Sequence, residues 1–330
     1  MSRSERPVVV ICGASAGVGR ATAQAFAAAG YAVGLVARSS EGLAEAVNAL
    51  QPYQAPTLAI SVDVSDAEAL ASAAQRFADE LGPIDVWVNA AMVTVFAPVE
   101  QLTPAEIRRV TEVTYLGTVH GTLAALAQMR PRNRGVIIQV GSALAYRAIP
   151  LQSAYCAAKF AIRGFTDSLR CELLHQHSAI QLCMVQLPAI NTPQFDWACN
   201  KLGTSVQPVP PIHDPDVAAR TILGAAKSPP REIWLGLSSL KAIIGTLFFP
   251  GLLDHLLARR AWSGQIDDSA PQPAATGTPA TGNLFEPVNG LHDTRGRFTD
   301  SSRQRAWALS ANRAIGLMLA SAVLLAWLVF

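Results

Sequence analysis

Charged residues are scarce in this chain of 330 residues, and neither sign of charge dominates. Asp, Glu, Lys and Arg together make up 15% of the sequence, and the formal net charge is +2. Nucleic-acid-binding proteins carry a clear basic excess, so this balance predicts no nucleic acid partner. Half of the residues are hydrophobic, which suits a well-buried sheet and leaves room for a membrane segment.

Cysteine is also sparse, and it shows no pattern typical of a disulfide framework or a metal site. The five cysteines are odd in number, form no CxxC pair and have no metal-ligand spacing with the histidines. We therefore expect reduced, mostly buried thiols and no metal. The first apolar run, PVVVIC, is too short for the core of a signal peptide and leads into glycines, so we expect the folded part to be cytoplasmic.

Seven short apolar runs alternate with alanine-rich helical patterns between Pro7 and about Gly236. The runs are VVVIC, AVGLVA, TLAISV, IDVWVN, GVIIQVGS, IQLCMVQL and EIWLG. Buried strands separated by helix-length segments predict an α/β fold, with a doubly wound parallel sheet of about seven strands and helices on both faces. We assign residues 1–236 to this one domain.

The remaining sequence divides by composition into four segments. Residues 237–261 form an apolar helical segment interrupted by Pro250, and residues 262–283 are rich in Pro, Ala, Thr and Gly, as in a flexible linker. Residues 284–313 form a C-terminal extension. Residues 314–330 carry no charge and are predicted to form a terminal hydrophobic helix.

A glycine-rich turn, CGASAGVGR, joins the first predicted strand to the first predicted helix. Its glycines would let the backbone approach a pyrophosphate, which the N-terminus of the following helix would stabilise with N–H donors and its dipole. The spacing is GxxxGxG rather than GxGxxG. Its position after a first strand nevertheless indicates a dinucleotide site.

Arg38 follows the second predicted strand, where an acidic residue would bind the adenosine ribose of NAD(H). Neither Ala37 nor Arg38 offers an acceptor, whereas a guanidinium suits a 2′-phosphate. This favours NADP(H) as the cofactor. The alternative is that Arg38 only caps a loop.

Tyr155 and Lys159 lie four positions apart in SAYCAAKFAI, so their side chains share one face of a predicted helix. A neighbouring ammonium would favour the phenolate and bring the pKa of Tyr155 toward the range that general acid–base catalysis needs. Such pairs also occur by chance on surface helices. Other parts of the sequence must therefore decide whether this pair is catalytic.

Taken in order, these motifs resemble those of the short-chain dehydrogenase/reductases over about residues 7–236. GASAGVG is similar to their cofactor loop, Asp63 to their adenine-contacting aspartate, and VNAAM around Asn89 to their NNAG turn. Ser142 precedes Tyr155 by thirteen positions, and YCAAK is similar to their YxxxK pair. The resemblance implies a Rossmann-type fold and an NADP(H)-dependent carbonyl reductase or alcohol dehydrogenase.

The resemblance also implies roles for individual residues. Tyr155 would be the acid–base, Ser142 would orient the substrate oxygen, and Lys159 would bind the nicotinamide ribose and lower the pKa of Tyr155. The expected cofactor-binding residues are Gly13, Ser15, Ala16, Gly17, Val18, Gly19, Arg38, Asp63, Val64, Asn89, Ala90, Tyr155, Lys159, Pro188 and Thr192. The expected substrate-binding residues are Ser142, Leu144, Tyr155 and Ile190.

Three positions depart from the family pattern. Cys12 replaces the usual Thr of the glycine loop, and Ala91 replaces the last Gly of NNAG; we interpret both as packing variations. Thr114 replaces the catalytic Asn that holds a water in the proton relay to the lysine. A threonine hydroxyl either still holds that water or slows turnover. We therefore include Thr114 among the candidate catalytic residues.

The substrate end of the predicted site is mainly apolar, which favours a lipophilic carbonyl compound or secondary alcohol. The further pocket candidates are Val93, Thr94, Ala143, Tyr146, Leu151, Gln152 and Phe195, with Arg147 either meeting an acidic group or lying in solvent. The segment NTPQFDWACNKLGTSVQPVPPIH is predicted to be a loop over the substrate. The competing function is a nucleotide-binding scaffold or sensor of the same fold, which turns over poorly because of Thr114.

The C-terminal segments suggest two further properties. The extension GNLFEPVNGLHDTRGRF resembles one in a bacterial subgroup of the family, and it either docks on the catalytic domain or a partner subunit in a homo-oligomer, or is a tether. Residues 314–330 would span about 26 Å as a helix, against about 30 Å of hydrocarbon, which predicts a transmembrane anchor. The arginines before them predict a cytoplasmic catalytic domain. The alternative is a helix buried in an oligomer or against residues 237–260.

Overall fold

The central sheet contains the seven predicted strands and one more. The computed structural model describes residues 6–267, 281–316 and 320. Its eight-stranded sheet has the order β12-β10-β7-β6-β4-β1-β2-β3. Its strands are β1 Val8–Cys12, β2 Ala32–Ala37, β3 Thr57–Ser61, β4 Ile84–Asn89, β6 Val136–Ser142, β7 Gln181–Leu187, β10 Glu232–Leu235 and β12 Ala308–Ser310. The predicted α/β fold with a parallel sheet is thus confirmed.

The eighth strand, β12, belongs to the C-terminal extension. It pairs antiparallel with β10, with Leu235 opposite Ala308, whereas the other seven strands pair in parallel. A strand of three residues carries too short a hydrophobic pattern to be recognised in the sequence. Two small ladders lie outside the sheet and join β5 Val95–Phe96 to β8 Cys199–Asn200, and β9 Ser205–Val206 to β11 Ile266–Asp267.

Helices cover both faces of the sheet. They are α1 Gly17–Ala28, α2 Ser40–Leu50, α3 Ala67–Glu80, α4 Pro104–Val110, α5 Gly117–Met129, α6 Ser153–His175, α7 Gln194–Trp197, α8 Pro215–Lys227, α9 Gly236–Phe248 and α10 Pro250–Ser263. A π-helical turn, Thr111–Leu116, separates α4 from α5. Asp66, Thr103 and Asp214 cap the helices that follow them, as such side chains commonly do.

The core lies in two layers, one on each face of the sheet. One layer includes Phe77 and Met129, and the other includes Phe26 and Ile222, all of them fully buried. Removing such side chains from water contributes about 1.5–3 kcal/mol each. This burial holds the strand ends in fixed positions, on which the site described below depends.

The sheet order creates a crevice between β1 and β4. From β1 the chain proceeds outward to β2 and β3, and it then returns to β4 on the other side of β1. In open α/β sheets, ligands bind beyond the carboxyl ends of the strands at such a reversal. The loops after β1, β2, β4 and β6 therefore meet at one edge of the sheet.

The C-terminal hydrophobic segment is described only in part. Residues 311–316 are helical, and Ala311 and Ala314 are buried in a small cluster with Trp234 and Ile243. Apart from residues 314–316 and 320, the predicted span 314–330 lies outside the described residues, as do residues 268–280 of the predicted linker. Among the residues that are described, no helix is long and apolar enough to cross a membrane.

Candidate active site

The glycine-rich turn follows β1 directly and leads into α1. Gly13 has φ +86°, and a Cβ there would lie 2.7 Å from the backbone of Ala91, so the turn requires glycine at this position. Ala16, at the N-cap of α1, has no side-chain cap. The N–H of Gly17 donates to the Asp293 carbonyl, and the next N–H groups of α1 lie at a helix N-terminus that suits a negatively charged group.

A cavity of about 620 Å³ extends from this turn along the carboxyl edge of the sheet. Most of the predicted site residues line it. They are Gly13, Ser15, Ala16, Gly17, Val18, Gly19, Arg38, Asp63, Val64, Ala90, Ser142, Leu144, Tyr155, Lys159, Pro188, Ile190 and Thr192. Asn89 and Thr114, which were also predicted, do not line it.

Ser142, Tyr155 and Lys159 meet at the inner end of this cavity. Ser142 ends β6, while α6 presents Tyr155 and Lys159 on one face, with the Lys159 ammonium 5.5 Å from the centre of the Tyr155 ring. Lys159 is 4% exposed, and its Nζ donates to the Val140 carbonyl at 2.7 Å. Burial lowers the pKa of Lys159 to about 8.

The pKa of Tyr155 shifts in the direction opposite to the prediction. Burial raises it above the usual value for a tyrosine, as does the neighbouring Cys156, while the Ser142 hydroxyl acts in the opposite direction. The expected lowering by Lys159 is not observed. The physical reason is that desolvation disfavours the phenolate more strongly than its polar neighbours favour it.

Asn89 lies beneath the cavity rather than in its wall. Its Nδ2 donates to Gln139 at 2.9 Å and to Thr122 at 3.2 Å, and its Oδ1 accepts from the Trp87 indole at 2.9 Å. The side chain is therefore fully engaged inside the fold. The prediction that Asn89 contacts a cofactor is corrected: its neighbour Ala90 lines the cavity, and Asn89 supports the turn.

Thr114 is also directed away from the cavity. Its hydroxyl donates to the Val93 carbonyl at 3.0 Å and accepts from the Val93 N–H at 3.1 Å, and the residue is 0% exposed. These two bonds join the π-helical turn to the chain after β4. The structure thus does not bring Thr114 to Tyr155 or Lys159 as a group open to a water molecule, and the expectation of a relay role is corrected.

Arg38 lines the cavity at the end of β2, but its guanidinium also binds the C-terminal extension. Nη2 donates to the Asn283 carbonyl at 2.5 Å and Nη1 to the Phe285 carbonyl at 2.8 Å. Its Nη1 lies 4.0 Å from the Asp63 carboxylate. Burial and the neighbouring Arg109 lower the pKa of Arg38. The extension therefore docks on the catalytic domain of the same chain.

Asp63 is held in place at the end of β3 by Arg109 and Ser65. Arg109 donates to one carboxylate oxygen of Asp63, and the other accepts from the N–H of Ser65 at 2.9 Å and from its hydroxyl at 2.7 Å. Burial alone would raise the pKa of Asp63, but these partners outweigh it and lower the pKa. Sequence reasoning missed Arg109 because its position on α4 carries no motif.

The substrate end of the cavity is closed by α9 and α10, which sequence reasoning did not place there. Leu253, Leu256 and Leu257 supply apolar surface, and Ser238 and Lys241 supply polar atoms. The strong apolar character of residues 237–260 was the sequence signal from which a place for α9 and α10 beside the cavity could have been predicted.

The additional pocket candidates divide into two groups. Val93, Ala143, Arg147, Gln152 and Phe195 line the cavity, whereas Thr94, Tyr146 and Leu151 do not. The Tyr146 hydroxyl instead donates to the buried Glu232 carboxylate at 2.9 Å. Arg147 pairs with Asp254 at 2.5 Å, so it fixes α10.

No cluster of three metal-ligating side chains is found in the described part of the chain.

Residues 7–199 match the model of the short chain dehydrogenase family. The chain belongs to this family. It is 32% identical over 312 residues to the uncharacterized oxidoreductase YxnA of Bacillus subtilis, covering 93% of this chain and 85% of that protein. Because the alignment is so long, it includes most of the sequence beyond residue 199. The protein is thus an oxidoreductase of the family that acts on alcohol and carbonyl groups.

Solved structures of short-chain dehydrogenases show the same fold. An alcohol dehydrogenase from the archaeon Thermococcus sibiricus, complexed with 5-hydroxy-NADP, is 27% identical with a TM-score of 0.60, covering 70% of this chain and 96% of its own. A family member from Burkholderia phymatum, in complex with NAD, is 20% identical with a TM-score of 0.67. The match covers 78% of this chain and 96% of that chain. The second likeness concerns the fold alone.

The residues around the cavity fit a nicotinamide dinucleotide. The turn at Gly13 and the N-terminus of α1 suit a pyrophosphate, and the cavity continues from there to Tyr155. Asn283 and His292 also line the cavity, and Asn283 Oδ1 and His292 Nδ1 are buried without a hydrogen-bond partner. Both residues belong to the part of the wall beside Arg38 and Ser39, where the adenosine half would lie.

Proposed function

We propose that the protein is an NADP(H)-dependent oxidoreductase that interconverts a lipophilic carbonyl compound and its secondary alcohol, with Tyr155 as acid–base. The observation that carries this proposal is the meeting of Ser142, Tyr155 and Lys159 at the inner end of the cavity. The bound dinucleotide would supply or accept the hydride.

Tyr155 would donate its proton to the carbonyl oxygen in the reductive direction. Its raised pKa keeps the phenol protonated at neutral pH, as a proton donor requires. Ser142 ends β6 beside it, and its hydroxyl would hold the substrate oxygen. Lys159, anchored on the Val140 carbonyl, would bind the nicotinamide ribose. Oxidation reverses these roles.

The preference for NADP(H) would come from Arg38. Its side chain lies at the end of β2, at the cavity wall, and Nε is a donor that does not take part in its bonds to the extension. A guanidinium binds a phosphate more strongly than a neutral hydroxyl group. The bound 5-hydroxy-NADP of the Thermococcus alcohol dehydrogenase is compatible with this preference.

The substrate would be lipophilic because the wall beyond Tyr155 is mostly apolar. Leu144, Ile190 and Phe195 line the cavity together with the α10 leucines.

The experiment that tests this function compares Tyr155→Phe with Tyr146→Phe. We expect Tyr155→Phe to lower NADPH-dependent reduction across a panel of lipophilic ketones and aldehydes by about 10²–10⁴-fold, because only the proton donor is lost. NADPH binding, followed by fluorescence, should stay nearly unchanged.

Tyr146→Phe removes an equivalent hydroxyl outside the cavity and should retain turnover. Appreciable reduction by Tyr155→Phe would remove Tyr155 from the mechanism. If the wild-type protein binds NADPH without turnover of any compound in the panel, the scaffold or sensor function is favoured instead.

A further inference from the structure

Part of the C-terminal extension lines the cavity. We call residues 281–298 the strap. Four of its residues, Asn283, Pro287, Val288 and His292, line the cavity together with residues of the glycine-rich turn and the ends of β2 and β3. The strap therefore forms one wall of the site.

The strap is bound to the loops where the adenosine half of a dinucleotide would lie. Arg38 donates to the Asn283 and Phe285 carbonyls, and Arg109 Nε donates to the Leu284 carbonyl at 3.1 Å. His292 Nε2 lies 3.0 Å from the Ser39 hydroxyl at the start of α2. These contacts join the strap to the residues after β2 and to α4.

The strap also bonds to the glycine-rich turn and to α7. The N–H of Gly17 in the glycine-rich turn donates to the Asp293 carbonyl at 2.9 Å, and the N–H of Asn283 donates to the Trp197 carbonyl at 2.8 Å. Farther along, Arg295 pairs with the fully buried Asp214 at 2.7 Å. The strap thus connects the glycine-rich turn with α7, which belongs to the predicted substrate-covering loop.

Asn283 and His292 are the two polar side chains that the strap contributes to this wall. His292 is 5% exposed, and its Nδ1 is buried without a hydrogen-bond partner, as is Oδ1 of Asn283. Neither atom is open to solvent, and a Cβ on Gly42 would lie 2.6 Å from Nδ1 of His292, so these side chains shape the wall. Both residues lie beside Arg38 and Ser39, where the adenosine half of the cofactor would lie.

We propose that the strap is part of the cofactor site: Asn283 and His292 form the wall beside the adenosine half of the dinucleotide, and the strap retains the cofactor between turnovers. This inference rests on the proposed use of a nicotinamide dinucleotide. Because the strap spans the cavity from β2 to the glycine-rich turn, the cofactor leaves only when the strap opens. Cofactor release then depends on the bonds that the strap makes.

The test compares Asn283→Ala and His292→Ala with Asn289→Ala, measured in the full chain. Asn289 is exposed on the same strap and does not line the cavity, so its variant makes the same chemical change away from the site. The measurements are the NADPH dissociation constant by fluorescence titration and the NADPH dissociation rate by stopped-flow displacement.

We expect the dissociation constant and the dissociation rate to rise by about tenfold in each of the first two variants and to stay at the wild-type values in Asn289→Ala. Values within twofold of Asn289→Ala for both variants would overturn the role of the strap. If His292→Ala unfolds at a lower temperature without nucleotide, Asn283→Ala decides alone, because the backbone bonds of the strap at residue 283 remain. A wild-type chain that binds neither NADPH nor NADH would instead overturn the proposed function.

Discussion

Arg38 combines two tasks in one guanidinium. It lies at the wall of the cofactor cavity, where a 2′-phosphate would be recognised, and it donates to two carbonyls of the strap. The sequence predicts the first task from the lack of an acidic residue after β2. It could not predict the second, because backbone carbonyls are present at every residue and leave no pattern.

We predict that Arg38→Asp lowers the preference for NADP(H) by about 10–100-fold and reverses it. The reason is that a charge-assisted bond to phosphate contributes about 1.5–3 kcal/mol and that Asp can accept from a ribose hydroxyl instead. The measurement is the ratio of the dissociation constants of NADH and NADPH. Loosening of the strap affects both nucleotides, so the ratio isolates the 2′-phosphate.

Arg109→Lys is the matched control for this ratio. Arg109 holds the Leu284 carbonyl and Asp63, but it does not line the cavity. We expect it to change both constants by a similar factor and to leave the ratio unaltered. A wild-type protein that binds NADH more tightly than NADPH would show that the argument from Arg38 is wrong.

The π-helical turn Thr111–Leu116 contains Thr114, whose contacts in the structure are structural, whereas the sequence predicted a catalytic role for this residue. The Thr114 hydroxyl makes two hydrogen bonds to the backbone of Val93 and so fixes the loop after β4, whose residues line the cavity. We predict that Thr114→Val lowers the free energy of unfolding by about 1–3 kcal/mol, since it leaves a buried N–H and a buried carbonyl unpaired. Urea denaturation measures this.

Thr111→Val provides the comparison within the same turn. The Thr111 hydroxyl only donates to the Ile107 carbonyl of its own helix, at 2.8 Å, so its loss should change stability by less than about 1 kcal/mol. Equal effects of the two variants would contradict the special role of Thr114. Thr114→Asn adds a test of turnover: a clear gain in rate would restore a relay role at this position.

The strands and the main site elements could be predicted because they have local signals. Each of the seven parallel strands is a short apolar run, and Ser142, Tyr155 and Lys159 stand in a fixed order along the chain. The direction of the Asn89 side chain could not be predicted, because it depends on Trp87 and Gln139, which only the folded sheet brings together. Docking of the extension on the catalytic domain was one of the predicted alternatives, but its partners and the strand β12 could not be predicted, since both depend on residues far away in the sequence.

At the scale of the whole molecule, the predicted C-terminal span begins in a packed cluster and continues into residues that lie outside the described part of the chain. Ala314, at the start of the predicted span, is buried against Ile243 and Trp234, as the alternative of a helix against residues 237–260 predicted. The remaining span stays a prediction. Shortening the chain before Ala314 would disturb this packing, so the better comparison ends the chain after Gly316.

We predict that the full chain sediments with membranes and that the chain ending at Gly316 does not. The charge-free segment beyond it would supply nearly all the apolar surface that partitions into lipid. High-speed centrifugation of cell extracts, with NADPH binding as a check on folding, makes the comparison. If both chains stay in the supernatant, there is no anchor.

The pairing of Leu235 with Ala308 has a consequence for the order of events during synthesis. Domains fold largely as they emerge, from the N-terminal side onward. The chain through β10 contains the parallel sheet, Tyr155 and Lys159, and it leaves the ribosome before the strap and β12 exist. A nascent chain would therefore present an open nucleotide cleft and an unpaired sheet edge at β10 together, and the same later segment closes both.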